Sequence, residues 1–442
     1  MNIQIEPKAN QIIHLLQQHG FAAYAVGGCV RNALMGLEPH DWDVCTDAKP
    51  DALRAVFGGY ETHDYGLKHG TLVVMADGEP FEVTTYRIDG VYADSRRPES
   101  VTFTDDLTRD LSRRDFTVNA MAYNDERGLQ DPFGGAADLR RGVLRCVGVP
   151  DDRFREDALR ILRGVRFAAV YGFQAERETA QALHRNARLL DRIARERVRE
   201  ELLGMLCGAQ VTLALDEFRD VIAAVIPELS ETFGVRQVNK HHCCDVWGHI
   251  IRSVGAVEAE PLLRMTMLLH DIGKPRARTT DADGVNHFKG HQQISAALAE
   301  PILRRLRCPN RFTEDCLQLI LWHDVRFDGS TRQVKRVLQQ LGEVQMRRLF
   351  QVQRADIAAQ SDYRRAEKLA SVALAQQQTE EILAEHPCLS LKDLAVNGSD
   401  LKKLGYPDGR IIGDTLRTLL GAVIDERVEN TRESLLHFLQ TK

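Results

Sequence analysis

No stretch of about 18 uncharged apolar residues occurs in this 442-residue sequence, so no helix is expected to span a bilayer. The first residues, MNIQIEPKANQIIHLLQQHG, lack the basic start and apolar centre of a secretory signal, which points to a cytoplasmic protein. The nine cysteines show no CxxC spacing. Without an export signal they read as reduced thiols rather than a disulfide framework, and a zinc ribbon is not expected. Neither sign of charge dominates: 58 basic residues face 63 acidic ones, a net of −5, which gives no global attraction to a polyanion. With 43% hydrophobic and 27% charged residues, bulk disorder and collagen-like structure are excluded. The chain is too long for one core, and at ~150 residues per domain it implies roughly three compact units.

What is present is unevenly placed. Between Arg153 and Glu200 twelve arginines face seven acids, so this segment carries +5 in a chain whose total is negative. Charge alone would suit an ordinary solvated helix surface with i,i+4 pairs, or a polyanion-binding face. The first ~150 residues mix helical stretches with β-rich runs, TLVVMA (71–76), FEVTTYRI (81–88) and GVLRCVGV (142–149). Beyond Pro150, apolar residues recur at helical spacing and strand signals nearly vanish. The expected fold is therefore an α/β (α+β) unit followed by a mostly α-helical remainder.

Two local patterns carry chemistry. In AYAVGGCVRNALMG a strand-like run enters Gly27-Gly28 and then a helix-like segment, where phosphate could approach backbone N–H groups. Asp41-Trp42-Asp43 follows in a strand-like segment, whose period of two places both carboxylates on one face. Two convergent acids suit Mg²⁺ in phosphoryl or nucleotidyl transfer. Either pattern alone more often marks a turn or a polar strand; their order gives them weight.

The ordered runs VGGCVRNALMG, DWDV, TYRIDGVYADSRRPESVTF, DLSRRDFTVNAMAY, DPFGG, EDALRILRGVRFA, RIARERVREEL and LKDLAVNGSDLKKLGYPDGRIIGDTL resemble the bacterial class II CCA-adding enzymes of the poly(A) polymerase-like nucleotidyltransferase superfamily. The resemblance covers most of the chain. It implies a nucleotidyltransferase head (1–150), a helical neck that selects the base and binds RNA (151–235), a helical body (236–365) and a tRNA-binding tail (366–442). It implies template-free addition of C, C and A to tRNA from CTP and ATP, with tRNA as partner and neither membrane nor DNA. Carried over by position, Gly28 and Arg31 would contact the triphosphate, Asp41 and Asp43 would hold Mg²⁺, and Glu82 would be the third carboxylate. Arg114 would contact phosphate through its planar fork. Asp157 and Arg160 would form the protein template, with Arg163 and Arg166 completing the nucleotide site. Asn32 departs from the family, which commonly has Asp there. Asp94–Pro98 resembles the loop of enzymes that add all three nucleotides.

The template assignment has a physical basis. At helical spacing Asp157, Arg160 and Arg163 share a face while Leu159, Leu162 and Val165 pack inward. Cytosine presents an N4 amino group beside the N3 acceptor, and adenine an N6 amino group beside N1, so an acid beside an arginine complements both. Uracil and guanine invert the relation, and a buried mismatch costs about 1–3 kcal/mol. An intrahelical ion pair is the plainer use of the same residues. In the tail, the turn Pro407–Gly413 leads into a helix, where N–H groups and Arg410 could meet a tRNA phosphate; a glycine-capped connection fits equally.

A second series, His249, His270-Asp271-Ile272-Gly273-Lys274, His291, His323 and Asp356, lies on segments with helical patterning and resembles the HD phosphohydrolase superfamily. It implies one or two divalent metals, and such donors suit a transition metal better than Ca²⁺. Adjacent residues point in different directions, so His241-His242-Cys243-Cys244 reads as packing rather than a ligand box. The competing readings are an A-adding or poly(A) polymerase, and a metal-dependent phosphohydrolase with an RNA-binding head.

Overall fold

The computed structural model describes residues 3–90, 100–385, 387–407 and 409–441. The expected Asp94–Pro98 loop lies outside the described residues. The chain divides into two compact units, Met1–Pro227 and Glu228–Lys442.

The first unit is built on a mixed seven-stranded sheet. Its strands are β1 (Ala23–Val26), β2 (Val44–Thr46), β3 (Glu61–His63), β4 (Thr71–Ala76), β5 (Glu79–Thr85) and, beyond a small β6/β7 pair (Arg87–Asp89 with Val101–Phe103), β8 (Ala122–Asn124) and β9 (Gly128–Gln130). The order is β3-β4-β5-β2-β1-β8-β9, and β2 with β5 is its parallel pair. The central strands bury both faces. On one, Ala25, Val44, Leu72, Val74 and Val83 pack with Ile12, Ile13, Val30 and Leu53 from three helices. On the other, Tyr24, Val26, Cys45 and Ala122 meet Tyr86 and Leu111. At roughly 1.5–3 kcal/mol for each fully buried large side chain, this two-sided core makes the sheet a rigid base for whatever its edges carry.

Two of the three β-rich runs form strands at their expected positions. The third does not: of residues 142–149 only Val143–Leu144 is a strand, paired in parallel with Gln174–Ala175. Leu144, Cys146 and Val147 are buried, Val147 in the core on the sheet's second face, and Pro150 opens the next helix, so packing overrides the β propensity. From there the unit is helical. Pro150–Glu156 and Leu159–Tyr171 are followed by Arg177–Arg185, Arg195–Leu206, Val211–Glu217 and Arg219–Val225.

The second unit is almost wholly helical, apart from a two-residue hairpin pairing (Thr279–Thr280 with Asn286–His287). Helices Val246–Ala256, Pro261–Leu269, His291–Arg305, Asn310–Trp322, Thr331–Ala359 and Arg365–Ala384 surround its centre. Gly342, at φ 74°, bends the longest of them. A separate apolar cluster, Leu394, Val396, Leu419, Leu420, Ile424 and Leu435, closes the C-terminal helices.

Candidate active sites

Gly27, at φ 84° and ψ −125°, ends β1 and caps the helix Gly28–Leu34. A Cβ there would stand 2.9 Å from Nη1 of Arg114, so the missing side chain lets the guanidinium reach this turn. Backbone bonds fix the turn from both sides: the Val26 N–H donates to the Asp43 carbonyl (2.9 Å) and the Gly27 N–H to the Met121 carbonyl (3.1 Å). The turn and the second acid are thereby one hydrogen bond apart.

Asp41 and Asp43 belong to the extended lead into β2 rather than to the strand itself. The expected alternation holds, with both acids exposed and Trp42 buried between them. In the β2/β5 pair Val44 stands opposite Val83, so Asp43 and Glu82, one residue earlier on each strand, share a face. Crowding by protein atoms, then the carboxylates of Glu82 and Asp41, push Asp43 up to about 6 against the pull of Arg114. This mutual repulsion is what a divalent cation relieves, so the donor set fits Mg²⁺.

Arginines crowd the same end of the unit. Arg114 is anchored 3.5 Å from Asp110 and keeps a buried Nε without a partner among the described residues. Arg31 is buried, and burial weakens its hold on its proton. It donates to Asn119, Asn32 and the Tyr171 hydroxyl and stacks on Phe167 and Tyr171. The amide oxygen of Asn32, 2.8 Å from Arg31, supplies the acceptor that the family's Asp would offer, without its charge. Arg163 forms a two-pronged pair with Asp115 (2.8 and 2.7 Å). Burial opposes the charge on Asp115, yet Arg163 and Asn119 hold its carboxyl down at about 2. Arg166 donates to Glu201 (2.6 Å) and lies over Phe167.

The expected shared helical face of Asp157 and Arg160 is not what forms. Asp157 ends the helix Pro150–Glu156 with extended backbone (φ −134°, ψ 102°), outside the helix that carries Arg160. Its Oδ1 accepts from the Leu159 N–H (3.0 Å), and its Oδ2 lies 3.6 Å from Arg197. A short acid that bonds the backbone two residues on competes with helix continuation, which is why the chain breaks there. Arg160, nearly buried, donates to Glu156 (2.8 Å) and to the Arg113 carbonyl (2.8 Å). Leu159, Leu162 and Val165 do pack inward.

In the second unit the six expected acids and imidazoles converge. His249 and Asp356 lie within helices, whereas His270-Asp271 and His323 sit just beyond helix ends and His291 opens one. His270, His291 and His323 each donate Nδ1–H to the carbonyl three residues earlier, at Met267, Phe288 and Ile320 (2.7–2.8 Å). Each therefore turns Nε2 inward, an acceptor in the neutral tautomer that a metal takes; without a cation, burial is overcome by Asp271 and Asp356, which push His270 up to about 10, so that its Nε2 carries a proton toward them. Asp271 divides its oxygens: Oδ2 lies 3.2 Å from His249 and from His270, and Oδ1 3.2 Å from His291 and 3.8 Å from His323. Two donor groups result, His249-His270-Asp271-Asp356 and Asp271-His291-His323. Nε2 atoms face each other at 3.3 Å (His249, His270) and 3.1 Å (His291, His323). Two such acceptors approach this closely only with a proton or cation between them, so this set also fits a metal.

Sequence reasoning set His242 aside as packing, yet it stands beside this cluster. The His242 ring stands edge-on to His249 with centroids 5.2 Å apart, burial pushes it down to about 2, and its Nδ1 has no partner among the described residues. It lies in irregular backbone before the helix, where no periodicity could have pointed to it. Lys274 reaches Asp271 at 2.6 Å and Gln237 at 3.0 Å. No disulfide joins the cysteines among the described residues.

The chain is similar in sequence and fold to known proteins. Residues 23–145 match the family model for the Poly A polymerase head domain, and residues 288–439 that for tRNA nucleotidyltransferase domain 2. Residues 172–232 match a model for an RNA- and SrmB-binding site of polymerase A. The CCA-adding enzyme of Geobacillus kaustophilus is 32% identical over 98% of this chain and 96% of its own. That of Geobacillus stearothermophilus is 33% identical over the same shares, 98% and 96%. The crystal structure of the Bacillus stearothermophilus CCA-adding enzyme in complex with CTP superposes with a TM-score of 0.72 at 28% identity, covering 99% of both chains. The Thermotoga maritima CCA-adding enzyme complexed with tRNA, at 19% identity and a TM-score of 0.61, shares the fold. With sheet, glycine turn, acids and near full-length identity in agreement, the chain belongs to the family of CCA-adding enzymes.

Proposed function

We propose that this protein adds C, C and A, without a nucleic-acid template, to the 3′ end of tRNA from CTP and ATP with Mg²⁺, in the cytoplasm. The observation that carries the reading is the pairing of Asp43 with Glu82 across β2 and β5, beside a glycine turn into which Arg114 reaches. Asp41, Asp43 and Glu82 would hold the metal, which supplies charge neutralisation of the triphosphate and activation of the attacking 3′ hydroxyl. The N–H groups of the turn at Gly28 and the fork of Arg114 cradle phosphate oxygens. Arg31 acts through Asn119 and Tyr171, holding the wall of the site as well as lending charge. Arg163 and Arg166, fixed by Asp115 and Glu201, complete the nucleotide site. Asp157 and Arg160 read the base by exchanging their present bonds for ones to its Watson–Crick edge. We further propose a division into head, neck, body and tail at residues 150, 235 and 365, the second of these falling eight residues beyond the boundary of the two compact units at Pro227.

The test is incubation with tRNA lacking its 3′ end and each nucleotide separately, followed by sequencing of the products. The expected order is C, C, then A, with no product from UTP or GTP. Addition of A alone, or an open-ended A tract, would favour the poly(A) polymerase reading. Asp41→Ala should abolish addition and leave tRNA binding within about twofold.

The inward-turned imidazoles around Asp271 favour a second activity, hydrolysis of 2′,3′-cyclic or monoester phosphate ends with a transition metal bound to His249, His270, Asp271, His291, His323 and Asp356. Metal analysis of the purified chain, with and without His270→Ala, tests it; a metal-free protein that stays inactive under several divalent ions would sink it.

A further inference from the structure

Three of the arginines assigned to the nucleotide site converge on one aromatic ring. The guanidinium carbon of Arg166 stands 4.9 Å from the centre of the Phe167 ring, that of Arg31 5.0 Å and that of Arg163 5.6 Å, all within reach of a cation–π contact. They come from two elements. Arg163 and Arg166 share the helix Leu159–Tyr171 with Phe167, and Arg31 belongs to the helix Gly28–Leu34. The ring is itself held: it is 2% exposed, packs edge-on to Phe116 (5.7 Å, 65°) and lies tilted against Tyr171 (5.7 Å, 57°). Gly204 gives one arginine stem its place, because a Cβ there would stand 2.8 Å from Cδ of Arg166.

The charge around this ring does not balance. Asp115 pairs with Arg163, and Glu201 with Arg166 and, at 4.0 Å, with Arg163, so among the described residues two carboxylates serve three guanidiniums. The excess falls on Arg31, which is buried and whose acceptors, Asn32, Asn119 and Tyr171, are neutral. Like charges gathered in a partly dry site repel one another. A third carboxylate would quiet them, yet it would also neutralise the site and compete with phosphate. An aliphatic side chain of similar bulk would fill the space and attract nothing. The negative face of an aromatic ring attracts the cations and leaves their charge uncancelled.

We propose that Phe167 is a positioning residue for nucleotide addition, its ring seating Arg31, Arg163 and Arg166 as one cationic array with charge left over for the polyphosphate of the incoming nucleotide. The side chains of Arg163 and Arg166, 34% and 25% exposed, are within reach of phosphate oxygens, and Arg31 adds its charge from within, where it is less screened. Arginines seated on a ring are also in place before the nucleotide arrives, which lowers the ordering cost of binding. The proposal rests on reading these arginines as the nucleotide site. It goes further by assigning their common alignment to a residue that touches no substrate.

Fluorination of the ring tests this, because each fluorine weakens the negative face while changing the volume little. Full-length chains carrying mono-, di- and trifluorophenylalanine at position 167 are compared with Phe167→Leu in nucleotide addition to tRNA lacking its 3′ end, beside thermal melts. KM for CTP and ATP is expected to rise stepwise with the number of fluorines, to about tenfold for the trifluorinated ring, with kcat within about twofold. The fluorinated chains should melt within about 3 °C of the parent, whereas Phe167→Leu should raise KM as far and also melt lower. Should Phe167→Leu not fold, the fluorinated series still decides. A KM indifferent to fluorine would overturn the proposal and leave Phe167 as packing. Arg163→Ala and Arg166→Ala separate that result from a failure of the reading beneath it. A raised KM in both arginine variants beside a flat fluorine series rejects the ring's role alone; an unchanged KM in both rejects these arginines as the nucleotide site, and the proposal with them.

Discussion

Asp43 sets chemistry against stability. Its carboxyl, ordinarily near 3.8, is pushed to about 6 by crowding and by Glu82. Folding therefore favours the protonated acid, so the fold loses stability as pH rises from about 4 to about 6, and the penalty persists above that. Asp43→Asn keeps the shape and removes the charge. We expect it to abolish nucleotide addition and yet, with metal chelated, to melt higher than the parent at pH 7.5, the gap closing as pH falls to about 4. A variant that melts lower at pH 7.5 would show that the acid is not strained by its neighbours. The presence of this acid pair was legible in the sequence, because a period of two in DWDV needs no tertiary knowledge. The partnership with Glu82 is set by strand register, and register between strands some 40 residues apart is not written in either strand alone.

Between the helices Pro150–Glu156 and Leu159–Tyr171 the chain makes a break that the sequence pattern does not announce. Periodicity located the buried Leu159, Leu162 and Val165 correctly, since apolar spacing reports a helix face. It could not report that Asp157 bonds the Leu159 N–H and leaves the helix. The two template residues consequently differ in kind. Asp157 is half-buried and held by one long-range cation, Arg197, at 3.6 Å, whereas Arg160 ties together Glu156 and the Arg113 carbonyl. We expect Asp157→Ala to relax discrimination against UTP and GTP by roughly tenfold, with little change in melting temperature. Arg160→Ala should relax it too, and should also lower the melting temperature by several degrees, because the Arg113 carbonyl and Glu156 lose their donor. Competition assays with mixed nucleotides, run beside thermal melts, separate these outcomes; unchanged selectivity in both variants would leave only a structural ion network. A similar contrast applies to the tail helix Arg410–Ile424, whose first residue is exposed and lies 3.6 Å from Asp414. If Arg410 meets a phosphate, Arg410→Ala should weaken unrelated tRNAs alike and reduce the salt slope of binding by about one ion, and an unchanged slope would count against that contact.

At the scale of the molecule, each of the two compact units holds its own set of converging acids. In Met1–Pro227 the carboxylates are exposed on the central strand β5 and on the segment leading into its neighbour β2; in Glu228–Lys442 the imidazoles and Asp271 are buried among helices. The ordered histidines were visible in the sequence as a series, yet their geometry depends on three helix termini that turn each Nδ1 onto a carbonyl. Helix ends are the least legible feature of a sequence, and His242, set aside there as packing, owes its place beside His249 to irregular backbone that no periodicity reports. Because the donor sets share no residue, the two activities should separate by mutation. His270→Ala or Asp271→Ala should remove the second unit's metal and any hydrolysis of phosphate ends, while CCA addition stays within about twofold. Asp41→Ala should do the reverse. Burial makes the first pair risky for folding: Asp271 is 1% exposed and anchors Lys274 at 2.6 Å, so its loss leaves a buried cation unpaired. His291→Asn, at the half of the cluster that Lys274 does not touch, is the gentler variant, and it should lower metal content while preserving the melt. Loss of addition in a folded His291→Asn protein would show that the two centres are coupled, and retention of both metal and hydrolysis would show that this histidine is packing.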